Sequence, residues 1–173
     1  MRVPLILSSL VLVCCGETTS VPDGGSAPSF IALASDFDGF DKWTRFDLGR
    51  QEAGGVHVAG ERSVFVNKTP PHGSKAFPVG TVFVKLVHGD TDAGVPDQIF
   101  SMAKRGGTFN AAGAAWEWFE LDLATQPPTL VWRGALPPAQ KGYGGGAGGA
   151  CNECHSTTPN DFVLTSALQL GKF

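Results

Sequence analysis

The feature that most constrains this chain is a C-x-x-C-H motif near its C-terminus, Cys151-Asn152-Glu153-Cys154-His155. Two thiols at this spacing lie on one side of a helical turn, where both can form thioethers to the vinyl groups of a haem. The imidazole that follows is then held beneath the iron as its proximal ligand. The motif therefore predicts one covalent haem c, attached through Cys151 and Cys154 and ligated by His155.

Other interpretations of the two cysteines are a disulfide, a thioredoxin-like redox pair and half of a zinc site. A redox pair typically follows a strand and opens a helix in a βαβ unit, whereas this pair follows the glycine-rich run Gly142 to Gly149. A structural zinc site needs two further Cys or His ligands at local spacing, and the sequence has none near the motif. Haem attachment fits the sequence best.

The N-terminus has the pattern of a secretory signal, because Arg2 precedes the short apolar run Val3 to Val13. This run is too short to span a bilayer. The segment around Cys15 resembles a bacterial lipobox, although Cys14 stands where a small residue is usual, so ordinary signal cleavage is an equal alternative. We expect residues 1–15 to be a signal peptide, of either the lipoprotein or the ordinary type. The chain would then reach the bacterial periplasm or be anchored to a membrane by lipidated Cys15.

Residues 16–29 are rich in Thr, Ser, Pro and Gly, which is typical of a flexible tether. Residues 30–173 are long enough for one folded domain with its own core. The formal net charge is −3, and no basic patch is interleaved with aromatic residues. This argues against a nucleic acid partner.

The pattern of apolar residues predicts a mainly β fold with a few helices, of class α+β. A short N-terminal helix is predicted at Phe40 to Phe46, where aromatic residues recur at near-helical spacing. At the C-terminus, one helix carries the haem motif and another is capped by Asn160 or Asp161 and runs to about Leu168. The predicted strands are Val56 to Asn67, Gly80 to His88, Gln98 to Arg105, Trp116 to Leu123 and Thr129 to Arg133.

Two familiar classes of cytochrome do not fit this organisation. Small electron-transfer cytochromes c carry the motif near the N-terminus of a helical domain and use a downstream methionine as sixth ligand, but no methionine follows His155. Helical cytochromes c′ carry the motif near the C-terminus, yet their four-helix bundle needs long helical periodicity that this chain lacks.

The chain resembles the cytochrome P460 family, together with the related β-sheet cytochromes c′, from about Trp43 to Leu168. The resemblance rests on the phrases RSVFVN at 62–67, FPVGTVFVK at 77–85, MAK at 102–104, WEWF at 116–119, and the haem motif followed by DFV at 161–163. It implies an exported homodimer built on an antiparallel sheet, with C-terminal haem-bearing helices and a five-coordinate haem. P460 members oxidise hydroxylamine with a haem cross-linked to a lysine, whereas the cytochrome c′ relatives bind nitric oxide. The implied partners are therefore hydroxylamine or a small nitrogen-oxide ligand, and an unknown redox partner.

Lys85 matches the lysine of that family motif, and its surroundings are informative on their own. On a strand, Phe83, Lys85 and Val87 share one face that is otherwise apolar. An ammonium there needs a partner, loses its charge or extends its head to the edge. Lys85 is accordingly either a strand-end lysine beside His88 and Asp90 or a residue at the haem edge that cross-links to the haem.

Arg62 occupies the position where the resemblance implies a basic residue in the distal pocket. Its guanidinium could hydrogen-bond a bound N-oxide or stabilise charge that develops on it. The alternative is an exposed strand arginine paired with Glu61. We take Arg62 and Lys85 as the candidate catalytic residues.

Phe100 departs from the catalytic P460 pattern, which the resemblance implies should have a carboxylate at this position. Hydroxylamine oxidation removes protons, so a pocket without a base should be slow unless water or another residue substitutes. Phe100, with Phe65, Phe83 and Phe119 as further candidates, would form an apolar cap over the iron. The remaining histidines match no local metal signature: His57, His72 and His88.

Three functions therefore compete. A protein that binds nitric oxide needs an open apolar sixth site, a hydroxylamine oxidase needs the Lys85 cross-link and a proton acceptor, and an electron-transfer cytochrome needs a second strong axial ligand. The sequence favours the first, retains the lysine of the second and offers no definite ligand for the third.

Overall fold

The computed structural model describes residues 27–54, 56–90, 92–139, 141 and 150–173. The predictions for the signal peptide, for Cys14 and Cys15, for most of the tether and for the glycine-rich run lie outside these residues. No helix within them is long and apolar enough to cross a membrane.

Six strands form one antiparallel sheet in which each strand pairs with the next along the chain. The strands are β1 (Thr44–Gln51), β2 (Gly60–Val66), β3 (Val82–His88), β4 (Gln98–Lys104), β5 (Trp116–Asp122) and β6 (Thr129–Gly134). Strands β2 to β6 are rich in Val, Phe and Trp, which favour a pleated, half-buried surface. Gly106 and Gly107 adopt positive φ in the turn from β4 to β5, a conformation that glycine takes without steric cost. The predicted mainly β fold with an antiparallel sheet is confirmed.

The two faces of the sheet are covered by opposite ends of the chain. Two 3-10 turns, Ala34–Phe37 and Phe40–Lys42, pack on the first face against a core that includes Phe65 and Val84. The C-terminal segment packs on the second face against a core that includes Val64, Phe83, Met102, Trp116 and Trp118. Met102 and these two tryptophans are buried in the sheet.

The predicted helix from Phe40 to Phe46 is wrong. A 3-10 turn ends at Lys42, and β1 begins at Thr44. Phe40 packs in the core of the first face, whereas Phe46 packs against that of the second. The spacing of these rings therefore reflects two faces of a sheet rather than one face of a helix.

The C-terminal segment contains one α-helix, α1 (Ala150–His155), which carries the C-x-x-C-H motif. The second predicted helix, through about Leu168, is wrong. Asp161 and Phe162 have φ of 50° and 67°, which a right-handed helix cannot contain. The chain instead forms two 3-10 turns, Ser166–Leu168 and Leu170–Lys172.

Asn160 holds this irregular segment together. Its side-chain amide donates hydrogen bonds to the carbonyls of Val163 and Leu168, and its Oδ1 accepts one from the backbone N–H of Leu170. Asn160 therefore satisfies buried backbone groups that a helix would otherwise pair.

Candidate haem pocket

A cavity of about 640 Å³ lies between the second face of the sheet and the C-terminal segment. This is an ordinary size for a small-molecule or cofactor site. Its walls are mostly apolar and include Val64, Phe83, Met102 and Leu168. The six candidate site residues from the sequence all line it: Arg62, Lys85, Phe100, Cys151, Cys154 and His155.

His155 is oriented by a hydrogen bond of 2.6 Å between its Nδ1 and the backbone carbonyl of Phe162. A carbonyl only accepts, so Nδ1 carries the proton and Nε2 keeps its lone pair. Histidine ligands of metals are typically held in this way. Burial lowers the pKa of His155, which favours the neutral imidazole that a metal requires. The indole ring of Trp118 packs beside it, 4.7 Å away between ring centroids.

The loop that supplies this carbonyl is fixed by Asp161. The Asp161 carboxylate forms a buried ion pair with Lys104, at 2.6 Å, and accepts a hydrogen bond from the backbone N–H of Phe77. Its backbone carbonyl accepts a hydrogen bond of 2.8 Å from Nε1 of Trp116. Strands β4 and β5 thus hold the residue next to Phe162, so the orientation of the imidazole depends on the sheet.

Asn152, inside the C-x-x-C-H motif, anchors α1 to the sheet. Its Oδ1 accepts hydrogen bonds from Nε1 of Trp118 at 2.8 Å and from Nδ2 of Asn110 at 3.1 Å. Its own Nδ2 donates to Oδ1 of Asn110 at 2.9 Å. The motif is thereby docked through one of its two intervening residues, a role that the sequence analysis missed.

The two cysteines of the motif are unpaired: Cys151 is half-buried and Cys154 is exposed. Burial raises the pKa of the Cys151 thiol to about 12. A reactive redox pair depends on a lowered thiol pKa, so this environment argues against the thioredoxin-like interpretation. Within the described residues, no group of three or more His, Cys, Asp or Glu side chains could hold a metal ion.

Lys85 lies near the middle of the sheet face that the cavity covers. It is opposite Val64 on β2 and Phe100 on β4. Burial, and secondarily the charge of Arg62, lower the pKa of its amine to about 8. The described part of the chain offers it no hydrogen bond or ion pair. The strand-end alternative is not favoured, since Lys85 lines the cavity while His88 at the strand end pairs with Asp97.

Arg62 is buried, with 8% of its surface exposed, so the alternative of an exposed arginine paired with Glu61 is wrong. Its Nη1 donates to Oε1 of Gln51, and its Nη2 donates to the carbonyls of Glu52 and Val58, all within 3.1 Å. Its Nε is buried without a partner among the described residues. Most of the guanidinium therefore holds the segment that precedes β2 and is not free for a ligand.

Phe100 packs edge-on against His57, with the ring centroids 5.2 Å apart. Phe83 also faces the cavity. The prediction that Phe65 contributes to the cap is wrong, because Phe65 packs in the core of the first face and does not line the cavity. Phe119 lines the cavity, although it belongs to the core of the first face.

His57 lines the same cavity, although the sequence analysis gave it no role. Burial is the main cause that lowers its pKa to about 3, with smaller contributions from the charges of Lys85 and Arg62. The imidazole is therefore neutral near pH 7, and its Nδ1 is buried with no partner in the described structure. His57 thus places a polar ring beside Phe100, within the predicted apolar cap. The one available signal was a histidine between two valines just ahead of β2.

Comparison of the chain with protein-family models, with curated proteins and with solved structures finds no match. The resemblance to the cytochrome P460 family therefore stays a prediction.

Proposed function

We propose that this chain is an exported mono-haem c-type protein of the P460 type that binds nitric oxide or related small nitrogen ligands. Hydroxylamine oxidation is the reaction that Lys85 would serve. One observation carries the proposal: a single, mostly apolar cavity is lined by Cys151, Cys154, an imidazole with its Nε2 lone pair available, and Lys85, whose amine has no partner among the described residues.

The residues of the cavity suit a haem c. Cys151 and Cys154 provide thiols for two thioether bonds, and His155 provides a neutral nitrogen whose other ring N–H is already hydrogen-bonded. A bound haem supplies an iron with a coordination position for a small ligand and a redox centre. Apolar side chains such as Phe83 and Met102 offer an apolar surface on which a macrocycle can pack.

Three other groups of the chain have separate roles at the cavity. The Phe162 carbonyl keeps His155 in one tautomer, and Phe100 narrows the cavity beside Lys85. Because its pKa is lowered to about 8, a minor fraction of Lys85 is the neutral amine near pH 7, and this fraction grows at higher pH. A neutral amine is the form that can attack the edge of a macrocycle.

The second candidate is an electron-transfer cytochrome. It is favoured by the presence of a second imidazole, that of His57, on the same cavity. Two strong axial ligands are typical of such proteins, and they give a six-coordinate haem.

A homodimer is part of the proposal. Exposed apolar side chains lie on the edge strand β6 or in the segments next to it: Ile31, Leu33, Val131 and Leu136. Arg133 on β6 donates a hydrogen bond to the carbonyl of Ala32, which brings these segments together. Sedimentation of the haem-loaded protein should give twice the monomer mass. A monomer at all concentrations would remove this part of the proposal.

The decisive experiment is export of the chain in a host with a haem-attachment system. Mass spectrometry should show one haem per chain, and the resting absorption spectrum should be that of a five-coordinate haem that binds nitric oxide. The variant Cys151→Ala with Cys154→Ala should carry no covalent haem. A wild-type mass equal to that of the bare mature chain would overturn the proposal. A six-coordinate, low-spin spectrum would favour the electron-transfer function.

A further inference from the structure

We propose that His57 is the residue that selects the ligand of this pocket: its imidazole accepts a hydrogen bond from a bound ligand that carries an O–H or N–H bond. A hydroxylamine-like compound then gains a hydrogen bond in this site that a diatomic such as nitric oxide does not. This inference rests on the proposed function and names a residue that determines ligand specificity at the same site.

The imidazole of His57 lies in the wall of the cavity. Its ring packs against Phe100, the residue opposite Lys85 on the cavity face of the sheet. The walls of the cavity are mostly apolar. The Nη atoms of Arg62 donate their hydrogen bonds to Gln51, Glu52 and Val58 rather than into the cavity. Lys85 can donate a hydrogen bond while it is charged but accepts none. A neutral imidazole therefore adds an acceptor that these two cations lack.

Hydrogen bonds hold the backbone on both sides of His57, so the fold fixes the position of its ring. Arg62 donates to the carbonyls of Glu52 and Val58. Gln98 on β4 accepts a hydrogen bond of 2.9 Å from the N–H of Val58 and donates one of 3.3 Å to the carbonyl of Val56. The residues on either side of His57 are thus both tied to the sheet.

The two histidines of the cavity differ in a way that separates their roles. His155 has its Nδ1 hydrogen-bonded to a backbone carbonyl, the arrangement expected of a metal ligand. His57 has a buried Nδ1 without a partner among the described residues. That nitrogen has almost no accessible surface, so the ring nitrogen that a ligand in the cavity can reach is Nε2, and without a partner on Nδ1 the ring of His57 lacks the arrangement of a metal ligand. This contrast assigns His155 to the iron and His57 to the ligand.

The test uses the haem-loaded protein and three variants. His57→Leu removes the hydrogen-bond acceptor, whereas His57→Gln keeps an acceptor on a side chain of similar length. His72→Leu is the matched control at an exposed histidine. Binding of hydroxylamine and of nitric oxide is measured by absorption titration, and the resting spectrum is recorded for each protein.

We expect His57→Leu to weaken hydroxylamine binding about tenfold, which corresponds to one neutral hydrogen bond, and to change nitric oxide binding less than about twofold. His57→Gln should retain most of the hydroxylamine affinity, and His72→Leu should behave as the wild type.

Equal losses for both ligands, or no loss for either, would overturn the inference. It would also fail if the wild-type haem is six-coordinate and becomes five-coordinate in His57→Leu, because His57 would then be an iron ligand. A chain that takes up no haem would overturn the proposed function as well, whereas these other outcomes concern His57 alone.

Discussion

The imidazole of His155 donates its Nδ1–H to the backbone carbonyl of Phe162, a residue with φ of 67°. A left-handed conformation at a phenylalanine is uncommon and persists only where the surroundings impose it. Here the preceding Asp161 is fixed by Lys104 and by the indole of Trp116. The sheet, the strained loop and the histidine of the C-x-x-C-H motif therefore form one connected arrangement.

The ion pair between Lys104 and Asp161 should be a major contributor to stability and to the orientation of His155. Asp161→Ala leaves a buried ammonium unpaired, so we expect the free energy of unfolding to fall by about 3–5 kcal/mol. In the haem-loaded protein the iron–histidine vibration should also shift, because the carbonyl that accepts from Nδ1 is released.

The matched control is Asp97→Asn at the half-exposed pair with His88, which should cost no more than about 1 kcal/mol. Urea unfolding measures the loss of free energy of unfolding in each variant, and resonance Raman spectra measure the shift of the iron–histidine vibration. Equal costs in the two variants, with an unchanged vibration, would contradict a positioning role for Asp161.

Asn152 and Glu153, the two intervening residues of the haem motif, should respond very differently to substitution. Asn152→Leu leaves the indole N–H of Trp118 and the amide of Asn110 without their partner, so we expect a loss of about 2–3 kcal/mol. Glu153→Gln changes an exposed side chain and should be close to neutral. Thermal unfolding of the two haem-loaded variants measures the difference. Equal melting temperatures would show that α1 is not docked through Asn152.

The strands were predictable because their cause is local. The pattern of Val, Phe and Trp in β2 to β6 sets both the extended conformation and the buried faces, and the predicted bounds of β3 to β6 lie within two residues of those observed. Strand β1 was missed because it is an edge strand with mostly exposed, polar residues. Its pairing with β2 is set by the neighbouring strand rather than by its own composition.

The site could be predicted only where a motif or a pattern marked it. The C-x-x-C-H motif and the lone ammonium of Lys85 are visible in the sequence, and both line the cavity. His57 could not be identified, since its position depends on hydrogen bonds with Gln98, which lies about 40 residues away on β4. The role of Asp161 was missed for the same reason, because Lys104 lies 57 residues away.

Lys85 should become cross-linked to the haem in the mature protein. Its amine lines the cavity without a partner in the described structure, and each pH unit below about 8 lowers the neutral fraction roughly tenfold, so the reaction should be faster at pH 8 than at pH 6. After digestion, mass spectrometry should find a peptide containing Lys85 joined to the haem peptide 151–155.

Lys85→Ala should then convert the absorption spectrum to that of an ordinary c-type haem. Lys68→Ala, at an exposed lysine, should leave the spectrum unchanged. A free Lys85 peptide in fully haem-loaded protein would rule out the cross-link and leave nitric oxide binding as the favoured function.

The stability of the protein should depend on His57 in acid. The pKa of His57 is about 3 in the folded chain and near its ordinary value of 6.5 when unfolded, so between these values the unfolded state binds more protons. Stability then falls as the pH drops from 6.5 towards 3, by at most about 1.4 kcal/mol per pH unit from this residue.

His57→Gln removes this dependence without removing the polar side chain. Urea unfolding of the haem-loaded wild type and variant at pH 7, 5.5 and 4.5 should give free energies that change more steeply for the wild type. Two parallel curves would mean that the pKa of His57 is the same in the folded and the unfolded protein, so that the pocket does not favour the neutral imidazole.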